Sequence, residues 1–181
     1  GYDSTTVKDT LDSLLYEAIN ITSFTSNVAP VQEIGTNISS ITLTWKLSQP
    51  ATEQFINDVP VTGSSFTFDT PFNSNKSFTL KVNDGTTIKS KTIDIKFMNN
   101  IYYGVSSSTT YNSSFIESLT KELRQATEMN FRVNAGKDEY ICFAYPSHYG
   151  EAVFSVGGFE GGFREVAKFY YTNESGYNEQ Y

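Results

Sequence analysis

The sequence predicts a mainly β protein that begins with a helix and continues into two β-rich domains. Apolar side chains alternate with polar ones along much of residues 21–97, which is the two-residue period of a half-buried strand. Glycine and proline interrupt these runs at short intervals, as expected of turns between short strands. Serine, threonine and asparagine together make up roughly 30% of the chain, a bias that suits exposed strands and turns.

Residues 1–20 are predicted to form a helical lead-in. Val7, Leu11 and Leu14 recur at spacings of four and three, and Leu15 and Ala18 extend this apolar stripe over residues 5–19. A helix this short is not stable alone in water. The stripe must therefore pack within the chain or against copies of itself, as at the end of a coiled coil. In the second case Val7, Leu11 and Leu14 lie at the axis of an oligomer.

Residues 21–97 are predicted to form an immunoglobulin-like β-sandwich. The clearest strand patterns share strict alternation and lie at residues 41–47, 66–68, 78–82 and 93–97. The triplet Asn83-Asp84-Gly85 is a hairpin-turn signal between two of them. About seven short strands with one Trp in an early-middle strand are typical of an immunoglobulin-like domain. Because the chain has a single Cys, Trp45 is expected to pack on aliphatic side chains and not on a disulfide.

Residues 98–181 are predicted to form a second, distal β-rich domain with one short helix. Ser114 and Glu117 have the spacing of a capping box that opens this helix. The apolar face of the helix would consist of Phe115, Ile116, Leu119, Leu123 and Ala126. The strand candidates lie at residues 101–105, 131–134, 140–145, 153–156 and 163–171, with a turn at 134–136. The strand pattern runs close to Tyr181, and we expect the natural protein to continue with one more strand.

Composition argues against several classes of function. The net charge is −7 and the pI is near 4.7, which disfavours binding to nucleic acid or to an anionic membrane surface. The longest apolar run is only a few residues, so we expect no membrane insertion. One Cys excludes an internal disulfide. One His and scattered acidic residues predict no metal site, and no motif predicts a cofactor.

Cys142 and His148 are the residue types of a nucleophile and its base, but their surroundings do not favour catalysis. Cys142 shares a predicted strand face with Tyr140 and Ala144. It is therefore expected to be a small buried apolar residue. His148 lies in the turn at residues 146–150 without a partner motif. We therefore predict no catalytic residues.

The clustered glycines of VGGFEGGF, residues 156–163, resemble a phosphate-binding loop only in composition. Such loops need a following helix and a Lys or helix N-terminus that faces the phosphate, whereas this segment continues as a strand pattern. We expect a tight turn or a bulge with positive φ at Gly157–Gly158 and Gly161–Gly162. Phe159 and Phe163 would anchor the loop onto the core, whereas an exposed Phe159 would mark a contact surface.

Most tyrosines lie in the distal half of the chain. A tyrosine combines an apolar ring face with a polar tip, which suits stacking on sugar rings or contacts at protein interfaces. Alternation places neighbours such as Tyr170 and Tyr171 on opposite sheet faces. Tyr145, His148 and Tyr149 lie together at a loop, and we predict that they bind a glycan or a protein. Phe159 is the fourth predicted binding residue.

Several segments taken together resemble bacteriophage tail proteins. DSTTVKDTLDSLLY at residues 3–16, running into ITSFT at 21–25, resembles the helix that precedes an immunoglobulin-like module in those proteins. EIGTNISSITLTW at 33–45, NKSFTL at 75–80 and FMNNIYYG at 97–104 are similar to the module itself. YICFAYP at 140–146 and VGGFEGGF at 156–163 are similar to the distal domain. The resemblance covers nearly the whole chain and implies a structural protein of the virion tail, such as a fibre or tip.

These observations predict a non-enzymatic module of a phage tail or tail fibre that helps attachment to a host-surface glycan or protein. Its other partners would be tail subunits, most naturally in a homotrimer, and it would be located in the virion tail. The alternative is a glycan-binding adhesin module at a bacterial surface or secreted from the cell, because the same composition suits both. A glycan-degrading enzyme is the third class, although two units of about 80 residues leave little room for its long groove.

Overall fold

The computed structural model describes Thr6, Leu11 and residues 14–124 and 128–181. The protein is mainly β, with 44% of its residues in strands, as the sequence predicts, and the described elements include one short α-helix. Val7, which belongs to the predicted lead-in, lies outside the described residues. Leu11, Leu14 and Leu15 of the same stripe are exposed. The N-terminal helix therefore stays a prediction.

The chain divides into two compact units that are not continuous in sequence. Unit 1 comprises residues 1–29, 39–70 and 76–94, and unit 2 comprises residues 30–38, 71–75 and 95–181. Two short segments inside the predicted sandwich, residues 30–38 and 71–75, thus belong to the second unit.

Eight strands lie between residues 21 and 98. In chain order they are β1 Ile21–Ser26, β2 Val31–Glu33, β3 Ile41–Leu47, β4 Glu53–Ile56, β5 Val59–Pro60, β6 Ser65–Phe68, β7 Lys76–Asn83 and β8 Ile88–Met98. One sheet has the order β1-β3-β6 and a second has the order β2-β8-β7-β4-β5. Strand β2 pairs in parallel with the last residues of β8.

The core of unit 1 follows from the predicted alternation. Ile41, Leu43 and Trp45 of β3 are almost completely buried, and so are Phe78 and the other inward residues of β7. The intervening residues of both strands are partly or fully exposed. The ring of Phe78 lies 5.4 Å from that of Phe68 in β6. The indole N–H of Trp45 donates to Gln54 Oε1 at 2.6 Å, so the polar atom of this large apolar residue is paired.

The predicted turn at Asn83-Asp84-Gly85 is confirmed between β7 and β8. Gly85 has a φ of +96°, which favours glycine. One oxygen of Asp84 accepts the backbone N–H groups of Thr86 and Thr87. The other accepts the Tyr16 hydroxyl at 2.7 Å and the Ile19 N–H at 3.0 Å. Asp84 therefore ties the end of the N-terminal segment to the hairpin within unit 1.

The remaining elements belong to unit 2. They are β9 Asn100–Ser106, α1 Ser113–Glu117, β10 Thr120–Leu123, β11 Tyr140–Ala144, a 3-10 helix Ser147–Tyr149, β12 Ser155–Val156, β13 Phe159–Glu160, β14 Tyr170–Thr172 and β15 Asn178–Gln180. Strands β10, β9 and β11 form an antiparallel sheet in that order, and β12-β13 and β14-β15 form two hairpins. Among the described residues, no helix is both long and apolar enough to cross a membrane.

The predicted helix that begins at Ser114 is wrong in its cap and in its length. Its N-cap is Asn112, whose Oδ1 accepts the Phe115 N–H at 3.1 Å, and the helix ends at Glu117. Leu123, predicted on its apolar face, instead lies in β10, whose residues 120–123 pair with β9. The long-range strand pairing therefore outweighs the local helical spacing. Ala126 lies outside the described residues.

The later strand candidates are only partly correct. Residues 140–144 form β11 as predicted, whereas the other candidates shrink to Ser155–Val156 and Tyr170–Thr172. Residues 131–134 form no strand. The side chain of Phe131 nevertheless stacks on Phe143 of β11, with ring centroids 5.6 Å apart and ring planes at 9°. An apolar pattern can therefore be satisfied by side-chain packing without a backbone ladder.

The core of unit 2 is built on tyrosines. Tyr102, Tyr171 and Tyr181 are buried with Ile116 and Leu119. The three tyrosine rings meet edge to face with centroids 5.6–5.9 Å apart. The Tyr181 hydroxyl donates to the carbonyl oxygen of Asn100 at 2.8 Å. Tyr170, the neighbour of Tyr171, is 66% exposed, so the predicted division of these two residues between sheet faces is confirmed.

Candidate surface-binding site

The predicted loop at residues 146–150 forms one turn of 3-10 helix. Pro146 is buried at its start, and the Tyr149 N–H donates to the Pro146 carbonyl at 2.9 Å. Gly150 ends the turn with a φ of +84°, a conformation that glycine adopts without strain. The turn therefore presents Ser147, His148 and Tyr149 from a fixed backbone.

His148 is the exposed member of the predicted trio. Half of its side chain is accessible, and its Nδ1 lies 3.2 Å from Glu179 Oε2 on β15. Its ring contacts that of Tyr149 edge to face, with centroids 4.7 Å apart. Glu179 was not predicted as a site residue, because it lies far along the chain and its position depends on the fold.

Tyr149 and Tyr145 are engaged within unit 2. The Tyr149 hydroxyl donates to the backbone carbonyl of Arg124, and burial raises the pKa of the Tyr149 phenol. The Tyr145 hydroxyl accepts the Ala152 N–H at 3.2 Å, and its ring lies against Phe143. The structure therefore brings His148 and Tyr149 together. The hydroxyls of Tyr145 and Tyr149 are each hydrogen-bonded to a backbone group of unit 2.

Phe159 lies at the tip of the hairpin formed by β12 and β13. The two connecting residues, Gly157 and Gly158, have φ values of +59° and +86°, which are typical of the tightest hairpin turns. Positive φ was predicted at these positions and at Gly161 and Gly162, and it is confirmed at all four. The Phe159 side chain is 81% exposed. The turn thus places a large apolar ring in solvent.

The expectation that both phenylalanines anchor this segment holds for Phe163 alone. The Phe163 ring stacks on Phe154 with centroids 4.4 Å apart, and Phe154 packs edge to face on Phe143. Phe159, expected as a second anchor, instead points away from the core. The physical reason is that all four strand residues of the short hairpin are exposed, so neither of its faces packs on the core. Val153 and Val156 are also exposed, at 77% and 58%.

Cys142 lies in β11 and packs against the tyrosine core of unit 2. Burial raises the pKa of its thiol, which disfavours the thiolate that a nucleophile requires. Its Sγ lies 3.5 Å from the backbone oxygen of Tyr140. Within the described residues, no group of three or more His, Cys, Asp or Glu side chains is placed to hold a metal ion.

Comparison of the chain with known protein families, with curated proteins and with solved structures found no match. The arrangement at residues 145–163 therefore has to be interpreted from its own chemistry. Two features there suit contact with a partner surface: the exposed ring of Phe159, and the exposed imidazole of His148, which lies beside the carboxylate of Glu179.

Proposed function

We propose that the chain is a non-enzymatic structural module of a phage tail or tail fibre that contributes to host-surface attachment. The observation that carries the attachment role is the 81% exposure of Phe159 at the hairpin tip. Val153 and Val156, which lie near Phe159 in sequence, are exposed as well, and exposed apolar side chains that form a patch mark contact surfaces. Aromatic side chains are also enriched among the residues that dominate binding.

Residues 21–97 serve in this proposal as an immunoglobulin-like spacer. The strand orders β1-β3-β6 and β2-β8-β7-β4-β5 support this assignment, because such sandwiches distribute successive strands between two sheets in this manner. The contact between Phe68 and Phe78, one from each sheet, also supports it. The burial of Trp45, which is 1% exposed, also supports it, since such a domain without a disulfide is expected to bury its Trp.

The lead-in serves in this proposal as an assembly element. Leu11 and Leu14 are 54% and 77% exposed, which leaves them accessible to other copies of the chain; Val7, the third predicted axis residue, lies outside the described residues. A homotrimer in the virion tail would repeat each weak attachment contact and so raise the total affinity. Light scattering on the full chain tests this part, and a monomer at high concentration would contradict the axis role.

The experiment for attachment compares binding of the labelled full chain to a panel of bacterial strains. Phe159→Ser is expected to weaken binding to a recognised strain roughly tenfold or more, as loss of a central aromatic contact does. Tyr140→Ser is the matched control, because Tyr140 is also an exposed aromatic residue, at 62%, in the same unit. Equal losses for both variants, or none for Phe159→Ser, would contradict the role of the hairpin.

The second candidate function is a glycan-binding adhesin module at a bacterial surface or in secreted form. The exposed aromatic tip and the tyrosines favour it equally, since neither feature depends on a virion. Gold-labelled antibodies against the chain distinguish the two, because they would mark virion tails in one case and cell surfaces in the other. Release of reducing sugars from host capsule by the purified chain would overturn both non-enzymatic proposals.

A further inference from the structure

A depression lined by hydroxyl groups lies where the chain leaves β9 and enters α1. Its volume is about 300 Å³, at the lower end of the range for small-ligand sites. One of its lining residues is Phe115, and the others are uncharged and polar: Ser106, Ser108, Thr110, Asn112, Ser114 and Ser118. It includes none of the four residues of the predicted binding site.

The loop that forms one wall is held by its own serines. Ser106 Oγ accepts the Ser108 N–H at 3.1 Å. Ser108 Oγ accepts the Thr110 N–H at 3.1 Å and donates to the Thr110 carbonyl at 3.0 Å. A loop fixed in this way loses little conformational entropy when a ligand binds.

Phe115 supplies the one aromatic wall. It is half-buried and packs against the tyrosine core of unit 2, and the Tyr111 ring contacts it edge to face at 5.1 Å. The phenyl ring is therefore fixed from behind while it lines the depression. A fixed aromatic face beside several hydroxyls matches a sugar ring, which has apolar C–H faces and a polar rim.

We infer that this depression binds a single neutral monosaccharide unit of a surface glycan. The inference rests on the proposed attachment function and names the class of ligand that the module takes. The lining residues include no Asp, Glu, Lys or Arg, so a charged sugar would find no opposite charge. The net charge of −7 further disfavours acidic sugars. Within the described part of the chain, the hydroxyls of Thr110 and Ser114 make no hydrogen bond, which leaves them to pair with sugar hydroxyls.

The test titrates the full chain with galactose, glucose, mannose and N-acetylglucosamine, and separately with sialic and glucuronic acid, by saturation-transfer NMR. We expect at least one neutral sugar to bind. Phe115→Leu retains an apolar side chain against the core and should weaken this binding about tenfold. Ser114→Ala should weaken it about fivefold through one lost hydrogen bond. Ser113→Ala is the matched control, since Ser113 adjoins Ser114 in α1 without lining the depression, and it should bind as the unchanged chain does.

The other outcomes overturn either the inference or the proposed function. Unchanged sugar binding in both Phe115→Leu and Ser114→Ala would place the sugar elsewhere. If Phe115→Leu fails to fold, sugar binding by Ser114→Ala still tests the site. Stronger binding of the acidic sugars would refute the argument from charge. Absence of sugar binding in a chain that still attaches to cells would refute the sugar site and leave the proposed function standing. A chain that binds sugar but no cells would contradict the proposed function alone.

Discussion

Replacement of Tyr181 by Ala is expected to be one of the most damaging single changes in unit 2. Its side chain is only 9% exposed and contacts two other buried tyrosines, Tyr102 and Tyr171. Its backbone N–H and carbonyl both pair with Phe169. A residue with these contacts is part of the core of unit 2.

The magnitude follows from the contacts that the change removes. Truncation of a large buried aromatic side chain to Ala costs about 3–5 kcal/mol in the free energy of unfolding. Tyr181→Phe preserves the ring and removes only the hydrogen bond from the hydroxyl to the Asn100 carbonyl. That variant should cost about 1 kcal/mol. Tyr170→Phe is the matched control, because Tyr170 is 66% exposed, and it should cost less than about 0.5 kcal/mol.

The two units allow a spectroscopic separation in one denaturant titration. Trp45, the single Trp, lies in unit 1, so its emission reports that unit. Near-UV circular dichroism of the packed tyrosines reports chiefly unit 2. We expect Tyr181→Ala to move the tyrosine signal to lower denaturant. An unchanged tyrosine midpoint in Tyr181→Ala, or equal costs for Tyr181→Phe and Tyr170→Phe, would refute the assignment of Tyr181 to the core.

Tyr181 should also make the stability of unit 2 depend on pH. Burial raises the pKa of the Tyr181 phenol above the usual value of about 10. A raised folded-state pKa means that its stabilisation is complete below the unfolded pKa and is lost as the pH rises through the folded pKa. Unit 2 should therefore lose stability above about pH 10. Tyr181→Phe, which has no phenol, should show a smaller loss over the same range.

Three further predictions concern other parts of the chain. The backbone N–H of Thr87 chiefly, with the Tyr16 hydroxyl and other donors, holds the pKa of Asp84 far below its usual range. The stabilisation by Asp84 is present above the unfolded pKa of about 3.9 and is lost as the pH falls further. Asp84→Asn should therefore be less stable than the unchanged chain at neutral pH, but should lose less stability in acid. Trp emission in a denaturant titration at each pH measures this. Gly158→Ala forces a left-handed backbone on a side chain at a cost of about 1–2 kcal/mol, and should speed amide exchange at Gly161, whose N–H closes the hairpin; unchanged exchange would contradict the turn geometry. A double-mutant cycle on Trp45→Phe and Gln54→Ala, followed by far-UV circular dichroism, should give a coupling of about 1 kcal/mol for the indole hydrogen bond; a coupling near zero would show that this bond contributes nothing.

The strands of unit 1 were predictable because their periodicity and their burial have the same cause. Ile41, Leu43 and Trp45 alternate with polar residues in the sequence, and one face of β3 is buried in the structure. The turn at residues 83–85 was predictable because its residue types favour the required backbone directly. Which strands pair with each other was harder to predict from the sequence. The parallel contact of β2 with β8 joins residues far apart in the chain and leaves no local pattern.

The second unit shows where local patterns mislead. Leu119 and Leu123 have helical spacing, but residues 120–123 form a strand that pairs with β9, which lies earlier in the chain. At the candidate site, the clustered glycines predicted a tight turn or a bulge with positive φ, whereas the exposure of Phe159 depends on which residues surround the hairpin. Glu179 left no signal near His148. The serines and threonines of residues 106–113 predicted a loop, but the depression needs Phe115 and Ser118 from the following helix and the residue just after it.

The alternation of chain segments between the two units limits how this protein can be divided. Six consecutive segments belong in turn to unit 1 and unit 2, so no single cut releases either unit with all of its parts. A fragment that starts after residue 97 would lack β2 and the stretch 71–75 that complete unit 2. A gene fusion or a recombination event at one site can therefore transfer the two units together, but not one complete unit alone.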